Sequence, residues 1–118
     1  MNIEELREYC LTLPFTEECF PFDDETLVFK VGGKMYGYIP LEKPDACIIL
    51  KCDPDLAVEL REKYPAVQPG NHMNKKYWNT VYLAESITET QLKGWIRHSY
   101  DEVLKKLPPK ERVKYQSF

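Results

Sequence analysis

The sequence predicts an α+β fold. We expect a single two-layer domain in which an N-terminal, a middle and a long C-terminal helix pack on an antiparallel β-sheet. Apolar residues recur at helical spacing near both ends of the chain, and the segments between them read as strands. A Gly32-Gly33 pair separates two of these segments, as in a tight hairpin. Because 118 residues is the usual length of one domain, a single core should span residues 1–118.

Each predicted helix begins at a capping signal. Asn2 and Glu5 resemble a capping box at the start of the first helix, which should end before the first proline. Asp53-Pro54 supplies an N-cap and a first-turn proline for a short middle helix. Thr88 and Gln91 form a second capping box, so a long amphipathic helix should follow and end before the next proline pair.

The hairpin around Gly32-Gly33 is the clearest local prediction. A two-residue turn pairs the flanking strands so that Phe29 lies opposite Tyr36 and Leu27 lies opposite Tyr38, on one face. The other face would then hold Val28, Met35 and Ile39.

The other sheet segments are less regular. Residues 15–25 contain a proline and an acidic run, which predicts a loop or an irregular edge strand. Residues 46–51 are apolar on both faces and predict a central strand. Residues 67–71 have the composition of a turn, and they lead into the segment 72–83, which is polar at first and strand-like from Trp78 onward.

The charge is unevenly distributed. The formal net charge is -3 with a pI of about 5.4, which argues against nucleic-acid binding through overall basicity. Residues 1–26 hold eight acidic side chains against one arginine, whereas residues 105–114 hold five basic side chains against one glutamate. The two ends of the chain therefore differ in sign.

Several classes of protein lack support. The four cysteines include no Cys-x-x-Cys pair, and no spacing of cysteine and histidine is typical of a zinc site, so we expect reduced thiols. No nucleophile elbow, phosphate loop or dinucleotide motif is present, so we predict neither an enzyme nor a cofactor. The apolar runs are too short to cross a bilayer, and the N-terminus does not resemble a secretion signal. We therefore expect a cytoplasmic protein without membrane partners.

The acidic N-terminal region has two interpretations. Glu4, Glu5 and Glu8 crowd one side of the first helix, and residues 17–25 add further carboxylates. Such a density of oxygens can hold a hard cation weakly or attract a protein partner. A solvated acidic face explains the same pattern.

The segment 70–79 also has two interpretations. It concentrates groups that can bond phosphate, such as Lys75 and Lys76, with Asn74 for base edges and Trp78 for stacking. This composition is typical of a nucleic-acid surface. Equally, Trp78 can be a core anchor at the start of a strand, and Asn74 can be a turn residue that bonds its own backbone.

The chain resembles the MmcQ/YjbR family along nearly its whole length. The matching motifs occur in family order, and they are Cys10-Leu11-Thr12-Leu13-Pro14, Phe29-Lys30-Val31-Gly32-Gly33-Lys34-Met35, Leu50-Lys51-Cys52-Asp53-Pro54, Val67-Gln68-Pro69-Gly70, His72-Met73-Asn74-Lys75-Lys76, Trp78-Asn79-Thr80-Val81 and Ser99-Tyr100-Asp101. Tyr77 stands where the family pattern has a histidine, so histidine chemistry is not expected in this loop.

The resemblance implies both a fold and a function. It implies a frataxin-like (CyaY-like) arrangement with helices on one side of an antiparallel sheet, and a DNA-binding role on a double-wing surface. Residue by residue, the implied contacts are Asn74, Lys75, Lys76 and Trp78, with Lys30 and Lys34 of the hairpin as a second wing. We therefore predict a monomer that binds DNA weakly. The alternative is a protein-interaction or weak metal-binding domain that uses the acidic first helix.

Overall fold

Six strands form one antiparallel sheet in the computed structural model, which describes residues 1–70 and 72–115 apart from the side chain of Tyr115. In chain order the strands are β1 (Glu17–Cys19), β2 (Thr26–Val31), β3 (Lys34–Pro40), β4 (Cys47–Lys51), β5 (Val67–Pro69) and β6 (Trp78–Tyr82). Their order across the sheet is β1-β2-β3-β4-β6-β5, and each neighbouring pair is antiparallel.

Three helices pack on this sheet as the sequence predicts, and they are α1 (Ile3–Thr12), α2 (Pro54–Lys63) and α3 (Glu89–Lys105). A short helix, α4 (Pro109–Arg112), and a 3₁₀ turn (Val113–Tyr115) follow α3. The α+β class is confirmed. Within the described ranges, no helix combines the length and the hydropathy that a bilayer crossing requires.

Both predicted capping boxes are present. The Asn2 side-chain oxygen accepts the backbone N–H of Glu5 at 2.8 Å, and the Glu5 carboxylate accepts the N–H of Asn2 at 3.1 Å. Thr88 and Gln91 make the same reciprocal pair at the start of α3, at 3.1 and 2.9 Å. These bonds occupy N–H groups that the first turn of a helix leaves without intrahelical partners.

The two faces of the sheet have separate apolar clusters. In β4, Ile48 and Leu50 pack with the helices, while Cys47 and Ile49 project to the opposite side and pack with Trp78. The helix side is the larger core, and its buried members from the helices are Leu6, Cys10, Ala57, Leu60, Leu92, Ile96, Tyr100 and Val103. We call the other side the open face, since its cluster contains no residue from a helix.

The hairpin forms at Gly32-Gly33 as predicted, with positive φ angles of 59° and 76°. Its predicted pairing is wrong beyond the first two residue pairs, because the register shifts between Phe29 and Lys30. Phe29 lies opposite Gly37 instead of Tyr36. The extra residue makes a β-bulge in β3, and a shift of one residue moves every later side chain to the other face.

The bulge reverses two predicted orientations. Leu27 pairs with Ile39, and Val28 pairs with Tyr38. Ile39 therefore joins the helix-side core, whereas Tyr38 joins the open face. The bulge is consequently what brings an aromatic ring to the open face of β3.

A second correction concerns residues 67–69, where the sequence predicts a turn. These residues form β5 and pair with Asn79–Val81 of β6. Pro69 is compatible with this strand because β5 lies at an edge of the sheet, where one side of the strand needs no ladder bonds. Segment 15–25 is predicted as a loop or an irregular edge strand. It contains β1, which is the strand at the opposite edge of the sheet.

Candidate functional site

The open face carries a patch of aromatic and thioether side chains. Trp78 is only 6% exposed and lies at the centre of this patch, with its ring centroid 6.4 Å from that of Tyr38. Partly buried side chains surround the central cluster, and these are Met35, Tyr38, Met73, Tyr77 and Tyr82. The outer rings are therefore accessible, while Trp78 supports them from below.

Three lysines converge on Tyr77 at one end of this patch. The ammonium nitrogens of Lys51, Lys76 and Lys106 lie 5.2, 5.6 and 5.0 Å from the Tyr77 ring centroid. Lys51 also lies 5.3 Å from the Trp78 ring centroid. These distances suit cation–π attraction, which holds each ammonium group near the ring. We call Lys51, Lys76 and Lys106 the lysine cluster.

The cluster joins distant parts of the chain. Lys51 ends β4, Lys76 lies in the loop before β6, and Lys106 is the C-cap of α3. Tyr77 is fixed by its backbone, since its N–H donates to the Asn74 carbonyl at 3.0 Å and its carbonyl accepts the Cys52 N–H at 2.7 Å. The sheet ladder thus continues past Lys51 and sets the ring beside it.

The charge of the cluster is not neutralised within the described residues. None of its three lysines makes an ion pair there, whereas the neighbouring Lys105 bonds Glu102 at 2.5 Å. Partial burial lowers the pKa of Lys51, and the nearby positive charges of Lys106 and Lys34 lower it further, against the opposing effect of Glu102. The fold therefore holds like charges together at an energetic cost.

Arg61 of α2 holds the loop that carries Lys76. Its Nε donates to the Asn79 side-chain oxygen at 2.6 Å, and its Nη2 donates to the carbonyl of Lys75. The Asn79 amide in turn donates to the Ala57 carbonyl at 3.2 Å. Asn79 is 2% exposed and fully engaged, so it has a structural role and is not available for a base edge.

The predicted contact residues do not all lie together. Lys76 belongs to the cluster, and Lys34 is close enough to lower the pKa of Lys51 by its charge. Lys30 faces the acidic edge strand, since its cross-strand partner is Glu17.

The remaining predicted residues have mixed roles. Asn74 is exposed, and its side-chain oxygen accepts the Lys76 N–H at 3.0 Å, as in a turn. The Lys75 side chain is exposed, while its carbonyl is bound by Arg61. Trp78 is buried beneath the patch. DNA contacts by these residues remain predictions.

Sequence reasoning missed Lys51, Lys106 and Arg61. The basic stretch at residues 105–114 is a signal for Lys106, but no spacing links it to Lys51 or to the loop. From the sequence, Tyr77 is one of the aromatic residues of segment 70–79 that can stack on bases and a departure from a histidine, but nothing in the sequence marks its ring as the centre of the cluster.

The acidic N-terminal region is partly engaged in structural bonds. Arg7 bonds both carboxylate oxygens of Glu18 at 2.7 and 2.5 Å, and this hydrogen bonding lowers the pKa of Glu18. Asp23 accepts the N–H groups of Glu25 and Thr26. Within residues 1–70 and 72–115, no group of three or more potential ligands is placed to hold a metal ion.

The protein thus has helices on one side of an antiparallel sheet and a basic, aromatic patch on the open face. This is the small α+β class that the sequence predicts. The model of the YjbR family matches residues 11–102, and the chain therefore belongs to the YjbR family. It is 38% identical to YbdF of Escherichia coli O157:H7, over 92% of this chain and 89% of that protein. It is 31% identical to YjbR of Escherichia coli K12, over 95% of each chain. Both relatives are described as uncharacterized proteins.

Solved structures share the fold. The crystal structure of a Deinococcus radiodurans protein with a DUF419 domain has a TM-score of 0.90 and 40% identity, over 98% of this chain and 88% of that one. A Pseudomonas syringae protein has a TM-score of 0.75 and 28% identity, over 86% of this chain and 98% of its own. The predicted family and fold are both confirmed.

Proposed function

We propose that this protein binds DNA through its open face, with the lysine cluster as the phosphate contact. The observation that supports this most is the convergence of Lys51, Lys76 and Lys106 on Tyr77 without carboxylate partners among the described residues. Uncompensated ammonium groups attract phosphate, and release of counterions from the nucleic acid drives such binding.

The aromatic patch favours single-stranded DNA over duplex. Tyr38 and Tyr82 are partly exposed beside Trp78, and unpaired bases can stack on such rings in any sequence. Paired bases in a duplex cannot, because their faces are covered by neighbouring base pairs. Antiparallel sheets that bind single-stranded nucleic acid use the same combination of surface aromatics and basic residues.

The overall acidity of the chain limits the expected affinity. With a net charge of -3, long-range attraction to DNA is absent, so binding should be weak and dependent on the local cluster. Three ammonium groups that neutralise phosphate charge on a single strand give a slope of roughly -2 in log affinity against log salt concentration.

Fluorescence anisotropy with labelled single-stranded and duplex DNA at low salt tests this proposal. The Lys76→Ala/Lys106→Ala double variant should bind single strands at least about tenfold more weakly, since it loses two phosphate contacts. The Lys43→Ala/Lys63→Ala variant is the matched control, because it removes the same charge from exposed positions outside the cluster. Equal weakening in both variants would contradict a local site, and tighter binding of duplex would favour the double-wing arrangement over stacking.

A second candidate function is protein interaction at the acidic N-terminal region. A groove between α1 and β1 has apolar lining from Ile3, Leu27 and Leu41, and Phe20 at its rim is 48% exposed. Exposed apolar side chains bordered by carboxylates suit a basic, apolar partner segment.

This second function can be tested by titrating a designed Lys/Leu-rich peptide while recording amide shifts. Shifts confined to α1 and β1, abolished by Phe20→Ser, would support it. Shifts spread evenly over all exposed carboxylates would instead indicate nonspecific charge attraction.

A further inference from the structure

The lysine cluster is compact, and this compactness constrains its ligand. All three ammonium groups lie within 5.6 Å of one ring centroid, so any two of them are separated by at most twice that distance. Lys34 adds a fourth positive charge close enough to affect Lys51. The positive charge is therefore gathered around one aromatic ring.

A continuous nucleic-acid backbone requires a different distribution. It presents one negative charge per phosphodiester, so proteins that follow it place basic residues along a groove. Lys30 does not extend the cluster, since it lies opposite Glu17 on the β1 side of the sheet. A single group with a larger charge matches the cluster better than a row of phosphodiesters.

We propose that the lysine cluster binds a phosphomonoester, supplied by the end of a single DNA strand or by a free mononucleotide. This inference rests on the proposed DNA-binding function and names the group that the same site recognises. A phosphomonoester carries about -1.5 to -2 charges at pH 7, with three oxygens that can accept hydrogen bonds from ammonium groups.

The aromatic patch gives the ligand a direction. Lys51 lies 5.2 Å from the Tyr77 centroid and 5.3 Å from the Trp78 centroid, so the cluster borders the patch directly. A nucleotide with its phosphate on the cluster then has its base at the aromatic patch, and the strand continues over the open face. The site thus recognises a strand end.

Oligonucleotides of one sequence test this inference directly. Single strands with a 5′-phosphate, a 3′-phosphate or two hydroxyl ends are compared by anisotropy at pH 7.5. One of the two phosphorylated strands should bind about tenfold more tightly than the strand with two hydroxyl ends. This preference corresponds to about 1.4 kcal/mol. Lys106→Gln, a change at an exposed position, should remove most of this preference, whereas Lys63→Gln should retain it.

The pH dependence is a second readout. The second pKa of a phosphomonoester is about 6, so the preference should fall between pH 7.5 and pH 5 as the dianion gains a proton. Among the described residues, the charged or titratable groups that surround the cluster are Lys34, Lys51, Lys76, Tyr77, Glu102 and Lys106.

The outcomes separate this inference from the proposed function. Equal affinity for all three ends would overturn the phosphomonoester site while leaving DNA binding in place. If no oligonucleotide binds, the proposed function fails, and the phosphate site is then decided by amide shifts with deoxyadenosine monophosphate against deoxyadenosine. Shifts at Lys51, Tyr77 and Lys106 with the monophosphate alone would support the site, and equal shifts with both would overturn it.

Discussion

Gly70 lies against the backbone of Trp78 beside the candidate site. A Cβ atom at Gly70 would lie 2.8 Å from the Trp78 Cβ and 3.0 Å from the Trp78 carbonyl oxygen. The Gly70 N–H also donates to that carbonyl at 2.9 Å. Since the obstructing atoms belong mainly to the backbone of β6, no rotamer change relieves the contact.

We therefore predict that Gly70→Ala lowers the free energy of unfolding by about 2 kcal/mol, the usual range for an overpacked interior position. Gly94→Ala in α3 is the control, because its Cβ would meet no atom within 4 Å and alanine favours helix by about 1 kcal/mol. Urea unfolding of both variants measures the two effects. Equal changes of the same sign in the free energy of unfolding would show that the contact with Trp78 does not cause the loss of stability.

Lys51 links stability to function at the residue scale. Its pKa is lowered, first by burial and then by the charges of Lys106 and Lys34. A lysine whose pKa is lower in the folded state binds its proton less readily there than in the unfolded chain. The charged form therefore destabilises the fold at neutral pH, and this effect disappears as pH rises through the usual lysine value of 10.5.

Lys51→Met should accordingly raise the urea midpoint at pH 7 and weaken DNA binding at the same time. The stability gain should shrink near pH 10.5, where the wild-type side chain loses its charge. Lys43→Met, at an exposed connector position, should show neither effect. A gain of the same size at both pH values would indicate improved apolar packing instead of relieved charge repulsion.

At the scale of the elements, α3 positions the end of β4. The Ser99 hydroxyl lies 2.5 Å from the Lys51 carbonyl and 3.0 Å from the Trp95 carbonyl, and can donate to either. His98 accepts the Asp53 N–H through its Nε2 at 3.1 Å. These bonds hold the β4–α2 junction against α3, so Lys51 and Lys106 both stay near Tyr77. The bonds of the Ser99 hydroxyl give this residue of the Ser99-Tyr100-Asp101 motif a structural role.

Arg61 holds the loop before β6 in place, as α3 holds the end of β4. Arg61→Lys keeps the charge but cannot reproduce the bonds from Nε and Nη2 to Asn79 and to the Lys75 carbonyl. Because the Asn79 amide is buried, its lost bond should cost about 2 kcal/mol of unfolding free energy.

Urea unfolding and amide hydrogen exchange in the loop measure this effect. Arg97→Lys is the matched control, since its bond to Asp101 is exposed on α3 and should contribute under about 0.5 kcal/mol. Unchanged exchange at residues 74–77 in Arg61→Lys would contradict the proposed role of Arg61 in holding the loop.

At the scale of the whole molecule, the four cysteines are all free thiols, and they differ in how deeply they are buried. Burial raises the pKa of Cys10 and Cys52 to about 12 each, and it also raises that of Cys47. Cys19 is partly exposed on edge strand β1. Since the thiolate is the reactive form, reactivity should follow access and pKa together.

We predict that one thiol reacts rapidly with a chromogenic disulfide reagent in the native protein, and that all four react in urea. Cys19→Ser should abolish the rapid phase, whereas Cys10→Ser should leave it unchanged. Two rapid thiols in the wild type would mean that one of the three buried cysteines is exposed by local opening of the fold.

The features that depend on neighbouring residues could be predicted from the sequence. The capping boxes at Asn2 and Thr88 and the turn at Gly32-Gly33 follow from local backbone chemistry, so they were predicted correctly. Family motifs along the chain determined the fold class and the family in the same way. Hydrophobic spacing was also sufficient for β4, since a strand buried on both faces is apolar throughout.

The orientation of Tyr38, the pairing of β5 and the composition of the lysine cluster depend on long-range packing and could not be predicted from the sequence. The bulge at Tyr36 is not marked by any local pattern in the sequence. Lys51 and Lys106 are far apart in the chain, and they meet at Tyr77 because α3 packs across the end of β4. Side-chain chemistry sets which groups can bind phosphate, but long-range packing sets which of them share a site.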